Sequence, residues 1–294
     1  LDDDFNEIND ADWVIEAVVE RIDIKHKLYS QIDKVRSPNS IISSNTSTIP
    51  LSILTQEMSD SMKADFCITH FFNPVRFMRL LEIVETPTMN KDKMDGLRDF
   101  CKNELGKGIV NCNDTPGFIG NRIGVYAMQV AMYEALERGL PVEIADALFG
   151  RPLGIPKTGV FGLYDLIGID LMKDVLASFK KELQEDDPFM DVVKPHPLVE
   201  QLLEKGFNGN KGPGGFYQTT IVEGDEHVKA MNTSDMSYYD FDKVDLEIAR
   251  RVEKEGIKAL LDDDSEYGRY AFAVLAKIIN YSAFCIPEVS SRVT

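Results

Sequence analysis

The chain has 294 residues, 44% hydrophobic and 28% charged, with a formal net charge of −17. That length accommodates two domains with a substantial core, and the acidic balance excludes nucleic acid and anionic membrane as general partners, though not a phosphorylated small molecule. No apolar stretch approaches the ~20 residues of a membrane span, and the dispersed cysteines Cys67, Cys101, Cys112 and Cys285 form no CxxC pair, which fits thiols in a reducing compartment rather than a disulfide framework or a zinc site.

From the start to about residue 110, short apolar runs alternate with helical patterns, the signature of a parallel α/β sheet. Trp13 to Val18 reads as a buried strand, and Ile24 to Val35 as a helix with Ile24, Leu28, Ile32 and Val35 on one face. Ser40–Ser44 and Asp65–His70 read as further strands, followed by Leu81–Val84, a helix from Lys91 to Leu105, and Ile109–Cys112. Ligands of an open α/β sheet bind beyond the carboxyl ends of the strands, and Ser47 and His70 both fall at such ends.

The character changes at Asp114. Thr115 reads as an N-cap and Pro116 suits a first helical turn, so a long helix is expected to run to Arg138 and stop at Gly139. The pattern stays helical to Lys205, with loops at Gly150–Gly154 and Pro195–Pro197, and reads as a separate all-α domain. Gly206 to Tyr217 is a glycine-rich turn, Ile221 to Asp240 a polar linker, and Asp242–Leu261 and Tyr267–Phe284 two more helices. The second of these resembles the helix after Asn121, which suggests a degenerate repeat. The domain reading is therefore 1–114, 115–220 and 221–294.

His70 ends an apolar strand and opens His70-Phe71-Phe72-Asn73-Pro74, beside apolar walls. Glu82 stands on the next strand. A carboxylate on one imidazole nitrogen fixes the tautomer and leaves the other nitrogen to take a proton, the minimal arrangement for general-base work; the competing reading is a structural histidine. Ser47, in Ser44-Asn45-Thr46-Ser47, reads first as a turn or cap residue before Pro50. It lacks the Gly-x-Ser-x-Gly elbow of a hydrolase. Asn121 reads either as an ordinary helical polar residue or as an amide reaching a substrate oxygen. Lys211-Gly212-Pro213-Gly214-Gly215 lacks phosphate-loop spacing and reads as a plain turn, and the four histidines show no metal-ligand spacing.

Together these motifs resemble the 3-hydroxyacyl-CoA dehydrogenase family. The likeness runs in order from Asp12 to Tyr217, through Ile15-Glu16-Ala17-Val18-Val19-Glu20, the Ser-Asn-Thr-Ser run, His-Phe-Phe-Asn-Pro, Asp114-Thr115-Pro116-Gly117-Phe118-Ile119-Gly120-Asn121-Arg122 and Lys211-Gly212-Pro213-Gly214-Gly215-Phe216-Tyr217. The tail after Asp240 is similar to the second helical repeat of multifunctional fatty-acid oxidation enzymes. The resemblance implies a Rossmann-type NAD-binding domain, here incomplete, then a helical C-terminal domain and the start of a second helical repeat. It implies NAD-dependent oxidation of (S)-3-hydroxyacyl-CoA to 3-ketoacyl-CoA in fatty-acid β-oxidation. His70 would be the general base, Glu82 its orienting partner, and Ser47 and Asn121 donors to the substrate oxygens. Ala17, Glu20, Lys25, Ser47, Asn73 and Lys211 match positions that contact NAD.

The family's first strand, its glycine-rich turn and its acidic residue for the adenine ribose are expected before Leu1. The expectation is that these residues form a piece of a longer enzyme, hold NAD weakly or not at all by themselves, and leave a sheet edge exposed. An acyl-CoA thioester substrate, a homodimer or a larger multifunctional chain, and a bacterial cytoplasmic or mitochondrial matrix location complete the expectations. The alternatives are a 3-hydroxybutyryl-CoA dehydrogenase of a fermentative or biosynthetic route, and a non-catalytic helical assembly module.

Overall fold

Trp13–Glu16 forms strand β1, and the helix that follows, α1 (Ile22–Val35), buries Lys25, Tyr29 and Ile32, one stripe of a 3.6-residue period. Strand β2 (Ile41–Ser44) is buried throughout; two single-turn helices, α2 (Leu51–Leu54) and α3 (Asp60–Lys63), then lead to β3 (Phe66–Phe71). Strand β4 (Leu80–Glu85), helix α4 (Lys91–Asn103) and strand β5 (Gly108–Asn111) complete the sheet. A computed structural model gives this architecture, and it describes residues 5–290 except 154, 156, 157, 223, 243 and 245. Gly154, at the end of one expected loop, and the chain ends at Leu1 and Thr294 lie outside the described residues.

The strands lie in the order β1-β2-β3-β4-β5. The first three are parallel, as the alternating pattern predicts. Strand β4 instead returns antiparallel to β3, and β5 is parallel to β4. No helix separates β3 from β4, only a short loop, so the chain must double back. This reversal sets the register His70↔Glu82.

Both faces of the sheet are covered, as parallel strands require. On one face Tyr29, Ile32, Leu51, Leu54 and Met62 pack against Ile42, Phe66, Ile68 and Val84. On the other Met94, Leu97 and Cys101 of α4 pack against Ile41, Cys67, Leu81 and Ile83. Each such side chain contributes about 1.5–3 kcal/mol when fully buried. Side chains alternate along a strand, so His70 and Glu82 share the face of Ile68 and Val84.

Two units make up the chain: residues up to Arg122 with those from Phe284 onward, and Ile123 to Ala283. The boundary between these compact units falls inside helix α5 (Gly120–Glu137), and the residues from Phe284 onward join the first unit. Their anchor is polar. The Asn113 side chain donates to the carbonyls of Pro287 and Glu288, and buried Arg122 pairs with Glu288 at 2.8 and 2.9 Å.

The second unit carries α6 (Val142–Leu148), α7 (Phe161–Ile167), α8 (Ile169–Glu182) and α9 (Pro197–Glu204). The stretch read as a polar linker is instead an antiparallel sheet of β6 (Tyr217–Val222), β7 (Asp225–Met231) and β8 (Tyr238–Asp240). Tyr217, Thr219 and Ile221 alternate with polar neighbours, and Gly224 turns at φ +96°. The expected helix from Asp242 to Leu261 is two, α10 (Glu247–Glu255) and α11 (Lys258–Leu261), broken at Gly256, where φ is +81°. Helix α12 (Glu266–Cys285) packs along α5 through stacked Tyr126 and Tyr281, with ring centroids 4.0 Å apart, and a 2.7 Å ion pair from Lys277 to Glu134.

Candidate active site

His70 is the fifth residue of β3 and only 6% exposed. Its Nδ1 lies 2.8 Å from Oε2 of Glu82, directly across the β3/β4 ladder. With Nδ1–H donating to the carboxylate, Nε2 carries the lone pair. The ring packs against Phe72 and Phe118 in tilted contacts, at centroid distances of 4.5 and 5.7 Å.

The other oxygen of Glu82 has a separate task. Oε1 accepts from the backbone amides of Ile119 at 3.0 Å and Gly120 at 2.6 Å, and from the Cys112 thiol at 3.6 Å. The fully buried carboxylate is thus satisfied on both oxygens and caps the first turn of α5. Burial, and then the adjacent Glu82 charge, push the Cys112 thiol up, so it stays protonated and donates.

This capping corrects the expected helix start. Residues 116–119 form turns, and the helix begins at Gly120. Gly117 and Phe118 both take left-handed backbone conformations, with φ of +68° and +49°. Phe118 thereby reaches the histidine, and the Glu82 carboxylate, not Thr115, meets the helix amides. Gly120 is required sterically, because a Cβ there would meet Cζ of Phe72 at 2.5 Å. Asn121 follows in the first turn of α5, half-buried.

Ser47 lies beyond the carboxyl end of β2, half-buried, and its amide donates to Oε1 of Glu20 at 3.2 Å. The turn itself is made by Thr46, whose Oγ1 accepts from the amides of Thr48 and Ile49 and donates to Glu20. Helix α2 is capped by Asp114, which accepts from the amides of Leu51 and Ser52, so Ser47 is not the cap that its context suggests.

Behind this turn stands a buried network that sequence reasoning missed. Lys25 Nζ donates to Glu16 at 2.8 and 3.0 Å and pairs with Glu20 at 2.9 Å. Glu16 also accepts from Val18 N, Tyr29 OH and Ser44 Oγ. Burial works to raise the Glu20 carboxyl, but Thr46, Lys25 and the Ser47 amide together hold it below the usual carboxylate range. The one available signal was a lone acid, Glu16, inside the apolar run Trp13–Val18.

Of the expected cofactor contacts, Ala17 and Asn73 are exposed just beyond the carboxyl ends of β1 and β3, and Glu20 is partly exposed beside Ser47. Ala17, Glu20, Ser47 and Asn73 thus line the strand-end edge where an α/β sheet receives a dinucleotide, and they fit one. Lys25 does not fit as a direct contact: it is 1% exposed and its ammonium is fully engaged by Glu16 and Glu20. Lys211 belongs to the second unit and is exposed on the glycine-rich turn closed by the Gly209↔Gly214 bridge. Among the described residues no group of three or more His, Cys, Asp or Glu could hold a metal ion, and no helix is long and apolar enough to cross a membrane.

Comparison with known proteins gives two family matches: the 3-hydroxyacyl-CoA dehydrogenase NAD binding domain over residues 1–115 and the 3-hydroxyacyl-CoA dehydrogenase C-terminal domain over 117–219. A Rickettsia felis protein named as a fatty acid oxidation complex trifunctional enzyme is 37% identical over 293 residues, which cover all of this chain and 40% of that protein. The chain thus spans less than half the length of that relative. The mitochondrial hydroxyacyl-coenzyme A dehydrogenase of Rattus norvegicus is 34% identical over 213 residues, covering 72% of this chain and 65% of that one. The crystal structure of 3-hydroxybutyryl-CoA dehydrogenase from Escherichia coli K12 aligns with a TM-score of 0.62 at 30% identity, over 72% of this chain and 43% of that one.

Proposed function

Since the chain belongs to the 3-hydroxyacyl-CoA dehydrogenase family, we propose that it carries the catalytic centre for NAD-dependent oxidation of (S)-3-hydroxyacyl-CoA to 3-ketoacyl-CoA in fatty-acid β-oxidation. The observation that carries the reading is the 2.8 Å bond from His70 Nδ1 to buried Glu82. It leaves Nε2 as a base with a fixed lone pair. The substrate 3-hydroxyl gives its proton to Nε2, and Glu82 stabilises the imidazolium that forms. Ser47 and Asn121 hydrogen-bond the substrate oxygens. NAD, when bound, accepts the hydride that leaves C3. Ala17, Glu20, Ser47 and Asn73 hold the dinucleotide, with Lys25 acting from behind through Glu20.

These residues by themselves are expected to hold NAD weakly, so the test is NADH absorbance with acetoacetyl-CoA at NADH raised until turnover by the parent chain is seen, beside its His70→Ala variant. General-base removal costs about 10²–10⁴ in rate; undiminished turnover by the variant sinks the reading. Identity to a 3-hydroxybutyryl-CoA dehydrogenase favours a second reading, a short-chain substrate. Repeating the assay with long-chain 3-ketoacyl-CoA separates the two. The named trifunctional relative supports function within a larger multifunctional protein; a homodimer is the alternative, and light scattering tests for it. A reducing compartment, bacterial cytoplasm or mitochondrial matrix, belongs to the same proposal.

A further inference from the structure

A cavity of about 610 Å³ opens on the first unit, between the end of α4 and strand β5. Four cations line it, Arg79, Arg98, Lys102 and Lys107, against one acid, Asp99. In a chain with 49 acidic and 32 basic residues, that local excess runs against the composition.

The four cations differ in how they are satisfied. Arg98 is neutralised by Glu85 and Asp95. Lys107 is 8% exposed, yet its ammonium meets only neutral partners: the carbonyls of Val75 at 2.5 Å and Met78 at 2.8 Å, and the Phe71 ring at 5.5 Å. Among the described residues no carboxylate pairs with it. Arg79 and Lys102 are exposed and likewise have no carboxylate partner among the described residues.

Local structure explains part of this. Lys102 sits in the last turn of α4, where the helix dipole supplies about half a negative charge. Lys107 ties down the loop that follows β3. Neither account places Arg79 there, nor supplies a counter-ion to a buried ammonium, which is costly without one.

We propose that this cavity binds a phosphate-type anion, a diphosphate or a phosphate ester, with Arg79 and Lys102 as its accessible cationic ligands. Guanidinium and ammonium groups among the lining residues suit the oxygens of such a group, and the volume lies within the range of small-ligand pockets. The anion has two sources, free diphosphate or the nucleotide end of a coenzyme A thioester. The inference is independent of the proposed dehydrogenase activity, because its readout is binding.

The experiment is equilibrium dialysis of the chain against ³²P-labelled pyrophosphate at low salt. Saturable binding is expected, weakened at least about tenfold when Arg79→Glu and Lys102→Glu are combined, and weakened by salt. Both residues are exposed, so the double variant keeps its fold, which circular dichroism verifies. Lys173→Glu combined with Lys180→Glu, two exposed lysines of α8, makes the same change in net charge and leaves binding unchanged. Unsaturable binding, or equal loss in the control, overturns the proposal. Displacement of pyrophosphate by adenosine 3′,5′-bisphosphate assigns the site to the nucleotide; failure to displace it assigns the site to free diphosphate.

Discussion

Glu82 stands opposite His70 across an antiparallel strand pair, and its two oxygens serve two masters: Oε2 holds the imidazole while Oε1 caps helix α5. One buried carboxylate therefore fixes the imidazole and the start of the helix that carries Asn121. On the proposed mechanism the first contact serves chemistry and the second stability, and substitutions at Glu82 separate the two.

Glu82→Ala leaves the Ile119 and Gly120 amides without an acceptor in a buried setting, a loss of about 1–3 kcal/mol for each unsatisfied group. Glu82→Gln keeps the shape and one acceptor oxygen but removes the charge that steadies the imidazolium. We expect urea denaturation to show Glu82→Ala far less stable than Glu82→Gln. The NADH assay should find both variants slow, with kcat down about 10²-fold or more. Equal stability of the two would show that the cap contributes little.

Gly120→Ala inserts a methyl 2.5 Å from the Phe72 ring, which itself packs on His70. Overpacking of this kind costs about 1–3 kcal/mol. Thermal denaturation should show the loss, and adding Phe72→Ala should recover part of it, because the nearest clash is with that ring, Glu82 Oε1 being farther at 3.3 Å. Additive losses would mean that the ring already has room to move.

Much of this was legible in the sequence. The strand and helix periods placed β1 through β5 within a residue or two, and apolar strands ending in His70 and carrying Glu82 marked the pair. The antiparallel return that puts them in register was not legible, because period-2 alternation carries no direction. The helix start was misplaced because Thr115 and Pro116 are good local signals, whereas the actual cap is a carboxylate 38 residues upstream. The strands β6–β8 were hidden by their polar outward residues. Lys25 was legible as a residue of interest, but only its burial shows that it holds Glu16 and Glu20.

Lys25→Met removes the cation shared by two carboxylates, Glu16 at 3% exposure and Glu20 beside Ser47. Breaking a buried pair in this way costs about 3–5 kcal/mol. Glu16→Gln added to Lys25→Met should restore part of the stability in urea, since the stranded charge is gone. Glu20 gives a sign in pH. Its folded carboxyl lies below its unfolded value, so its contribution is full above the unfolded pKa and fades as pH falls through the folded one. A Glu20→Gln variant should therefore show a shallower stability loss on acidification than the parent chain; an identical acid limb would remove Glu20 from the account.

In the second unit the pH dependence runs the other way. Asp146 accepts from the amides of Phe161 and Gly162 and from Tyr217 OH, and Asp165 accepts from the amides of Phe216 and Tyr217, so the two acids tie the glycine-rich turn to α6 and α7. Burial outweighs those donors and pushes Asp146 up to about 7 and Asp165 up to about 6. A folded pKa above the unfolded value of about 3.9 means that the associated stability is complete below that value and is lost as pH rises through the folded pKa. Between pH 4 and 8 the second unit should weaken as these carboxyls ionise. Asp146→Asn should flatten that slope while lowering the plateau at pH 4, because the amide cannot reproduce all three bonds. Thermal denaturation at intervals across this range reads both effects, and a slope unchanged by the substitution would show that Asp146 is already ionised at pH 4 with its three donors fully compensating its burial.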